Sequence, residues 1–145
     1  MRCLTRLYGR VSVTMARYRK PRILFVNDEA SIRLTLPRVL AKFFDVTSAG
    51  TLEDALTEIQ SEQFDVLLSD LNLPQSNAGF TVIEAMRKAQ PHCINFILTG
   101  YPADESFQRA NGHEVAHYFT KPVEIEEMVK TMKKKLYARD SSLAG

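Results

Sequence analysis

The chain has 145 residues, of which 45% are apolar and 25% charged, the proportions of one ordinary globular domain with little room for a second. The longest uncharged run, residues 89–103, is broken by Pro91, Gly100 and Pro102, which excludes a membrane span, and Cys3 and Cys93 lack the spacing of a disulfide framework or zinc site, which suits a reducing cytoplasm. The net charge of +2 is uneven: residues 1–22 carry seven basic side chains and no acid, so all 17 acidic groups fall on the remainder, and an acidic body argues against a nucleic-acid-binding domain.

Residues 1–20 read as an extension outside the fold. The uncharged stretch at 11–16 is too short for a secretory segment, and Arg, Ser and Thr without acids only weakly resemble a transit peptide. A translation start at Met15 is the simpler expectation, with the domain occupying residues 21–140.

From Pro21 two periodicities alternate, the pattern of a parallel sheet with crossover helices. Residues 22–26 form a short strand, apolar throughout after Arg22, as expected of a strand buried on both faces, ending in Asn27-Asp28-Glu29. Residues 30–44 place Ile32, Leu36, Val39, Leu40 and Phe43 at helical spacing, with Pro37 inside as a source of a kink or a lost hydrogen bond. Residues 45–49 are a weak strand, and Thr51 then caps a helix with an acid three residues on and an inner face of Ala55, Leu56 and Ile59.

The third strand covers residues 64–69 and ends at Asp70. A helix over 79–90 packs through Phe80, Val82, Ile83 and Met86, and a fourth strand over 93–98 ends in Thr99-Gly100. A short helix at 104–110, capped by Asn111-Gly112, precedes the fifth strand at 116–120, which runs into Lys121-Pro122. The last helix, 124–138, has acids in its first turn and bases near its end, matching the helix dipole. Five strands alternating with five helices predict an α/β fold, a doubly wound five-stranded parallel sheet of the flavodoxin-like three-layer kind.

In such a sheet ligands bind at the carboxyl ends of the strands, where the strand order reverses. Asn27, Asp28, Glu29, Asp70, Thr99 and Lys121 all terminate apolar runs and so arrive on one edge. Oxygen donors without His or Cys suit a hard ion such as Mg²⁺, and Lys121 adds a point charge for a carboxylate or phosphoryl oxygen. Cation, lysine and the Thr99 hydroxyl together describe a site for phosphoryl transfer with a carboxylate nucleophile.

Bland roles compete for each residue singly. A strand-end acid is commonly a solvated turn residue or helix cap, Thr99 an ordinary turn threonine, and Tyr118 a strand aromatic. His92, His113 and His117 are isolated, and Lys133, Lys134 and Lys135 read as a solvated helix end. The joint arrival of two acids and a lysine at one edge is what favours chemistry.

Four segments in order, Phe25-Val26-Asn27-Asp28-Glu29, Asp70-Leu71-Asn72-Leu73-Pro74, Leu98-Thr99-Gly100 and Tyr118-Phe119-Thr120-Lys121-Pro122, resemble the receiver domains of bacterial two-component response regulators, over residues 21 to about 138. That resemblance implies that Asp70 accepts a phosphoryl group from a histidine kinase or histidine phosphotransfer protein. It implies Mg²⁺ held by Asp28, Asp70 and the backbone carbonyl of Asn72. Lys121 and Thr99 would contact the phosphoryl group, Thr99 and Tyr118 would form a switch pair, and the bond before Pro122 would be cis. Asn27 stands where the family usually has an acid; it can orient a metal-bound water but removes a charge. The loop after Pro74 is one residue longer than usual.

Three other functions compete with this one. A binding-only receiver acting without phosphorylation is hinted at by Asn27. A flavin-binding protein would need hydroxyls and amides where Asn27-Asp28-Glu29 puts acids. A phosphatase would need a general acid at position 72, where the chain has asparagine. The expectation is a non-enzymatic, stand-alone receiver working through protein contacts, with neither nucleic acid nor membrane as a partner.

Overall fold

The computed structural model describes residues 19–70, 78–99 and 115–144. The helix expected at 104–110, the Asn72 carbonyl, Gly100, His113 and nearly all of the basic extension lie outside the described residues. β1 (Arg22–Val26) is followed by α1 (Ala30–Leu40), β2 (Asp45–Ala49), α2 (Leu52–Ser61), β3 (Val66–Asp70), α3 (Ala78–Ala89), β4 (Ile94–Thr99), β5 (His117–Thr120) and α4 (Ile125–Ala144). All neighbouring strands pair in parallel, in the order β2-β1-β3-β4-β5. Among the described residues no helix is long and apolar enough to cross a membrane.

The strands alternate their side chains between two cores, and that alternation makes the three layers. Ile23, Phe25, Val66, Leu68, Phe96 and Leu98 face the core shared with Leu36 and Leu40 of α1 and Met128 and Met132 of α4. Leu24, Val26, Leu67 and Ile97 face the opposite core, with Ala55 and Ile59 of α2 and Val82, Ile83 and Met86 of α3. Continuous apolar runs in the central strands are thus the consequence of helices on both faces.

Several element ends differ from the sequence expectation. The helix expected to reach residue 44 stops at Leu40, although Pro37 lies within it. Beyond it the amides of Phe43 and Phe44 both donate to the Leu40 carbonyl at 2.9 and 2.8 Å, and this tight turn drives Phe44 into the core. Lys20 Nζ donates to the Ala41 carbonyl at 2.8 Å, so the segment before β1 satisfies an orphan carbonyl at the end of α1. Thr51 Oγ1 accepts from the Asp54 amide at 3.0 Å, capping α2 as the sequence implies.

β3 begins at Val66, two residues after the expected start. The Phe64 amide donates instead to Gln90 Oε1 at 2.7 Å, while Gln90 Nε2 donates to the carbonyls of Ile59 and Glu62 at 2.9 and 2.6 Å. This buried amide joins the end of α2, the approach to β3 and the end of α3. α4 runs six residues past its expected end at 138. Arg139 on that extra length donates to Asp65 Oδ1 at 3.0 Å and to the His92 carbonyl at 3.2 Å, anchoring the helix to the amino edge of the sheet. Lys133 is not a plainly solvated charge either, since its ammonium lies 4.8 Å from the Phe43 ring centroid.

Gln90→Ala is expected to destabilise the domain by about 3 kcal/mol, because it strands one buried amide and removes a donor from two carbonyls. Urea unfolding followed by circular dichroism measures this; a loss below about 1 kcal/mol would mean that water replaces the amide.

Candidate functional site

The strand order reverses between β1 and β3, so the crevice beyond their carboxyl ends is where the topology leaves room for a ligand. Val26 pairs with Ser69, and the next residue on each strand therefore brings Asn27 beside Asp70. Both are buried, Asn27 with no exposure and Asp70 with 1%. A carboxylate so enclosed needs hydrogen-bond or charge partners.

Two such partners come from different loops. Lys121 Nζ, following β5, is 2.9 Å from Asp70 Oδ2. Asn27 Nδ2 donates to the same oxygen at 2.6 Å. The orientation of the Asn27 amide is determined locally: its Oδ1 accepts from the Glu29 backbone N–H at 2.7 Å, and since that N–H can only donate, the oxygen must face it and the NH₂ must face Asp70. The Asn27 backbone is itself held by donation to the Ala49 carbonyl at 3.0 Å.

The supporting contacts follow from the strand ends. The Lys121 amide donates to the Thr99 carbonyl at 2.8 Å, which ties the lysine loop to β4. The Lys121–Pro122 peptide is cis. Ser69 Oγ donates to the Gly79 carbonyl at 3.3 Å, linking the residue before Asp70 to the first turn of α3. Thr99 is buried at the end of β4 and pairs in register with Thr120.

Of the residues singled out in the sequence, Asn27, Asp70 and Lys121 meet at one carboxylate oxygen. Asp28 is half-buried in the loop just beyond, whereas Glu29 is exposed and makes no side-chain cap to α1. Tyr118 pairs with Ile97 and packs against the α2–α3 core; burial pushes its phenol pKa up. His117 is exposed with its ring 4.8 Å from that of Phe119. Cys93 is buried, which pushes its thiol far above the ordinary range, with Asp65 adding and Arg139 opposing, so it is no nucleophile.

Two features were missed by sequence reasoning. The Ser69 anchor carries no sequence signal, because a serine in an apolar run gives no clue to its partner. The donor role of Asn27 was legible only in part: an asparagine two residues before an amide is a known turn-former, but its second contact spans 43 residues.

Among the described residues no three acidic, histidine or cysteine side chains cluster as a metal site. Asp28 and Asp70 stand at or just beyond the carboxyl ends of the adjacent strands β1 and β3, and carboxylate oxygens are the donors a hard divalent cation takes.

Comparison with known proteins gives a consistent likeness. A family model described as the response regulator receiver domain matches residues 23–133. The hydrogenase transcriptional regulatory protein HoxA of Bradyrhizobium diazoefficiens is 30% identical over 112 residues, which are 77% of this chain and 23% of that protein. The cell cycle response regulator CtrA of Brucella ovis is 27% identical over 109 residues, 74% of this chain and 47% of that one. The chain thus spans under half the length of these relatives. The crystal structure of a CheY-like receiver domain protein from Methanospirillum hungatei superposes with a TM-score of 0.77 at 27% identity, covering 85% of this chain and 98% of that one.

Lys121→Met is expected to lower stability by about 2 kcal/mol, since it leaves a buried carboxylate without its cation. In an Asp70→Asn background the same substitution should cost less than half as much. A double-mutant cycle by chemical denaturation reads the difference, and additivity would show that the pair carries no coupling.

Proposed function

The chain belongs to the response regulator receiver domain family, and from that premise we propose that it is a phospho-acceptor switch in which Asp70 takes a phosphoryl group from a histidine kinase or histidine phosphotransfer protein. The observation that carries this reading is the Asp70 carboxylate, buried at the carboxyl end of β3 and ion-paired to Lys121 at 2.9 Å. A buried aspartate ion-paired to a lysine at the topological switch point suits in-line attack on phosphorus.

Transfer breaks the donor's phosphorus–nitrogen bond, whose electron pair stays with the departing histidine imidazole as it takes a proton from solvent, and forms a phosphorus–oxygen bond to an Asp70 carboxylate oxygen. Lys121, freed from the carboxylate as its charge is converted to an acyl phosphate, pairs with a phosphoryl oxygen and stabilises the charge spread over the transferring group. Asp28, Asp70 and the Asn72 carbonyl would hold Mg²⁺, which neutralises phosphoryl charge when bound. The chain's own part is positioning: the Lys121–Thr99 backbone bond and the Ser69 anchor keep the acceptor and the ammonium on one rim.

The output follows from the added charge. The Thr99 hydroxyl donates to the new phosphoryl oxygens, and Tyr118, now half-buried against the α2–α3 core, turns further inward. The face carried by β5 and α4 changes shape and selects a protein partner. A second reading, regulation of a partner without phosphorylation, is favoured by Asn27, which replaces a carboxylate by a hydrogen-bond donor.

Incubation of the full chain with Mg²⁺ and acetyl phosphate separates the two. One phosphoryl group is expected by intact mass, absent in Asp70→Asn and in the presence of a chelator; an unmodified native chain rejects the acceptor reading. Thr99→Ala should still be modified yet lose the phosphorylation-dependent change in Tyr118 ring resonances, and an unaltered response would exclude Thr99 from the switch.

A further inference from the structure

Resting on the acceptor reading, we infer that Asn27 is an internal gate on the acceptor: its amide holds Asp70 Oδ2 in the resting state, so that a cation or a phosphoryl group has to compete with it for that oxygen. An ionised carboxylate is acceptor-only, and Oδ2 already receives the Asn27 amide at 2.6 Å and the Lys121 ammonium at 2.9 Å. A lysine can follow charge as it moves to a phosphoryl oxygen, since its stem is long and its head is partly exposed. The asparagine cannot. Its carbonyl is held by the Glu29 amide at 2.7 Å, its backbone by Ala49, and the side chain is fully buried.

A short amide-to-carboxylate bond is of the charge-assisted kind and stronger than a neutral one. It does locally what a cation would do, delivering positive hydrogen character to a buried anion, so the carboxylate is compensated in the absence of metal. Its presence therefore competes with metal and phosphoryl group alike. The same side chain in acidic form would repel Asp70 and leave the crevice in need of a cation. The direction of the effect separates this gate from mere loss of a charge. If Asn27 only lacks a negative charge, trimming it to alanine leaves cation binding no better. If it holds the acceptor, trimming it opens the site.

The test uses the full chain, Asn27→Ala and Asn27→Asp, the second of which keeps the oxygen that accepts from Glu29 and so preserves the local turn. Calorimetric titration with MgCl₂ alone, without phosphoryl donor, should show tighter binding by about tenfold in Asn27→Ala, the equivalent of one charge-assisted hydrogen bond released, and tighter still in Asn27→Asp. Modification by acetyl phosphate should accelerate in the same order. In metal-free buffer Asn27→Asp should melt below the native chain and recover on adding Mg²⁺. If the native chain is modified at Asp70 while Asn27→Ala binds Mg²⁺ no more tightly and reacts no faster, the gate is overturned and the acceptor reading stands. If none of the three chains is modified, the acceptor reading falls and takes the gate with it.

Discussion

A carboxylate buried to 1% exposure must be compensated, and the site at the sheet's carboxyl edge is organised around that requirement at Asp70. Compensation comes from a lysine on the loop after β5 and an amide after β1, both on one oxygen. Each donor is then held by a backbone contact to a neighbouring strand end: Lys121 to Thr99, and Asn27 to Ala49. The loops after β1 and β5 thus depend on the ends of β2 and β4 for their geometry, and the anion at β3 depends on both. Disturbing one strand end disturbs the others.

Contacts at the opposite edge of the sheet tie element ends together. There Arg139 reaches from α4 to Asp65 and His92, Arg22 pairs with Glu62 at 2.7 Å, and Gln90 joins three segments through one buried amide. These contacts close the ends of elements whose orphan backbone groups would otherwise face the core. Such a division leaves the carboxyl edge to carry the buried charge, whose removal from water costs stability.

Membership of the receiver family supplies the class of signalling and not the circuit. The relatives named above are a hydrogenase transcriptional regulator and a cell cycle regulator, and this chain matches only a fraction of each. The chemical feature of this chain beside Asp70 is the amide at position 27. A neutral donor and an anion in that place have opposite effects on a neighbouring aspartate, the first stabilising its charge and the second opposing it.

Much of the fold was legible in the residues themselves. The apolar runs Ile23–Val26 in β1 and Val66–Leu68 in β3 require helices on both faces, and the 3.6-residue spacing of Val82, Ile83 and Met86 requires a buried helical stripe; both are local patterns that depend on few neighbours. Thr51 as a cap was legible for the same reason, its partner Asp54 lying three residues on. The convergence of Asn27, Asp70 and Lys121 was legible at the level of topology, because parallel strands deliver their ends to one edge. Where α1 and α4 stop, where β3 starts and which oxygen of Asp70 is held by which donor were decided only in three dimensions. Those outcomes rest on contacts between residues far apart in the chain, Gln90 with Phe64, Arg139 with Asp65, Asn27 with Asp70, and a hydrogen bond is set by distance and angle that no spacing in a sequence encodes.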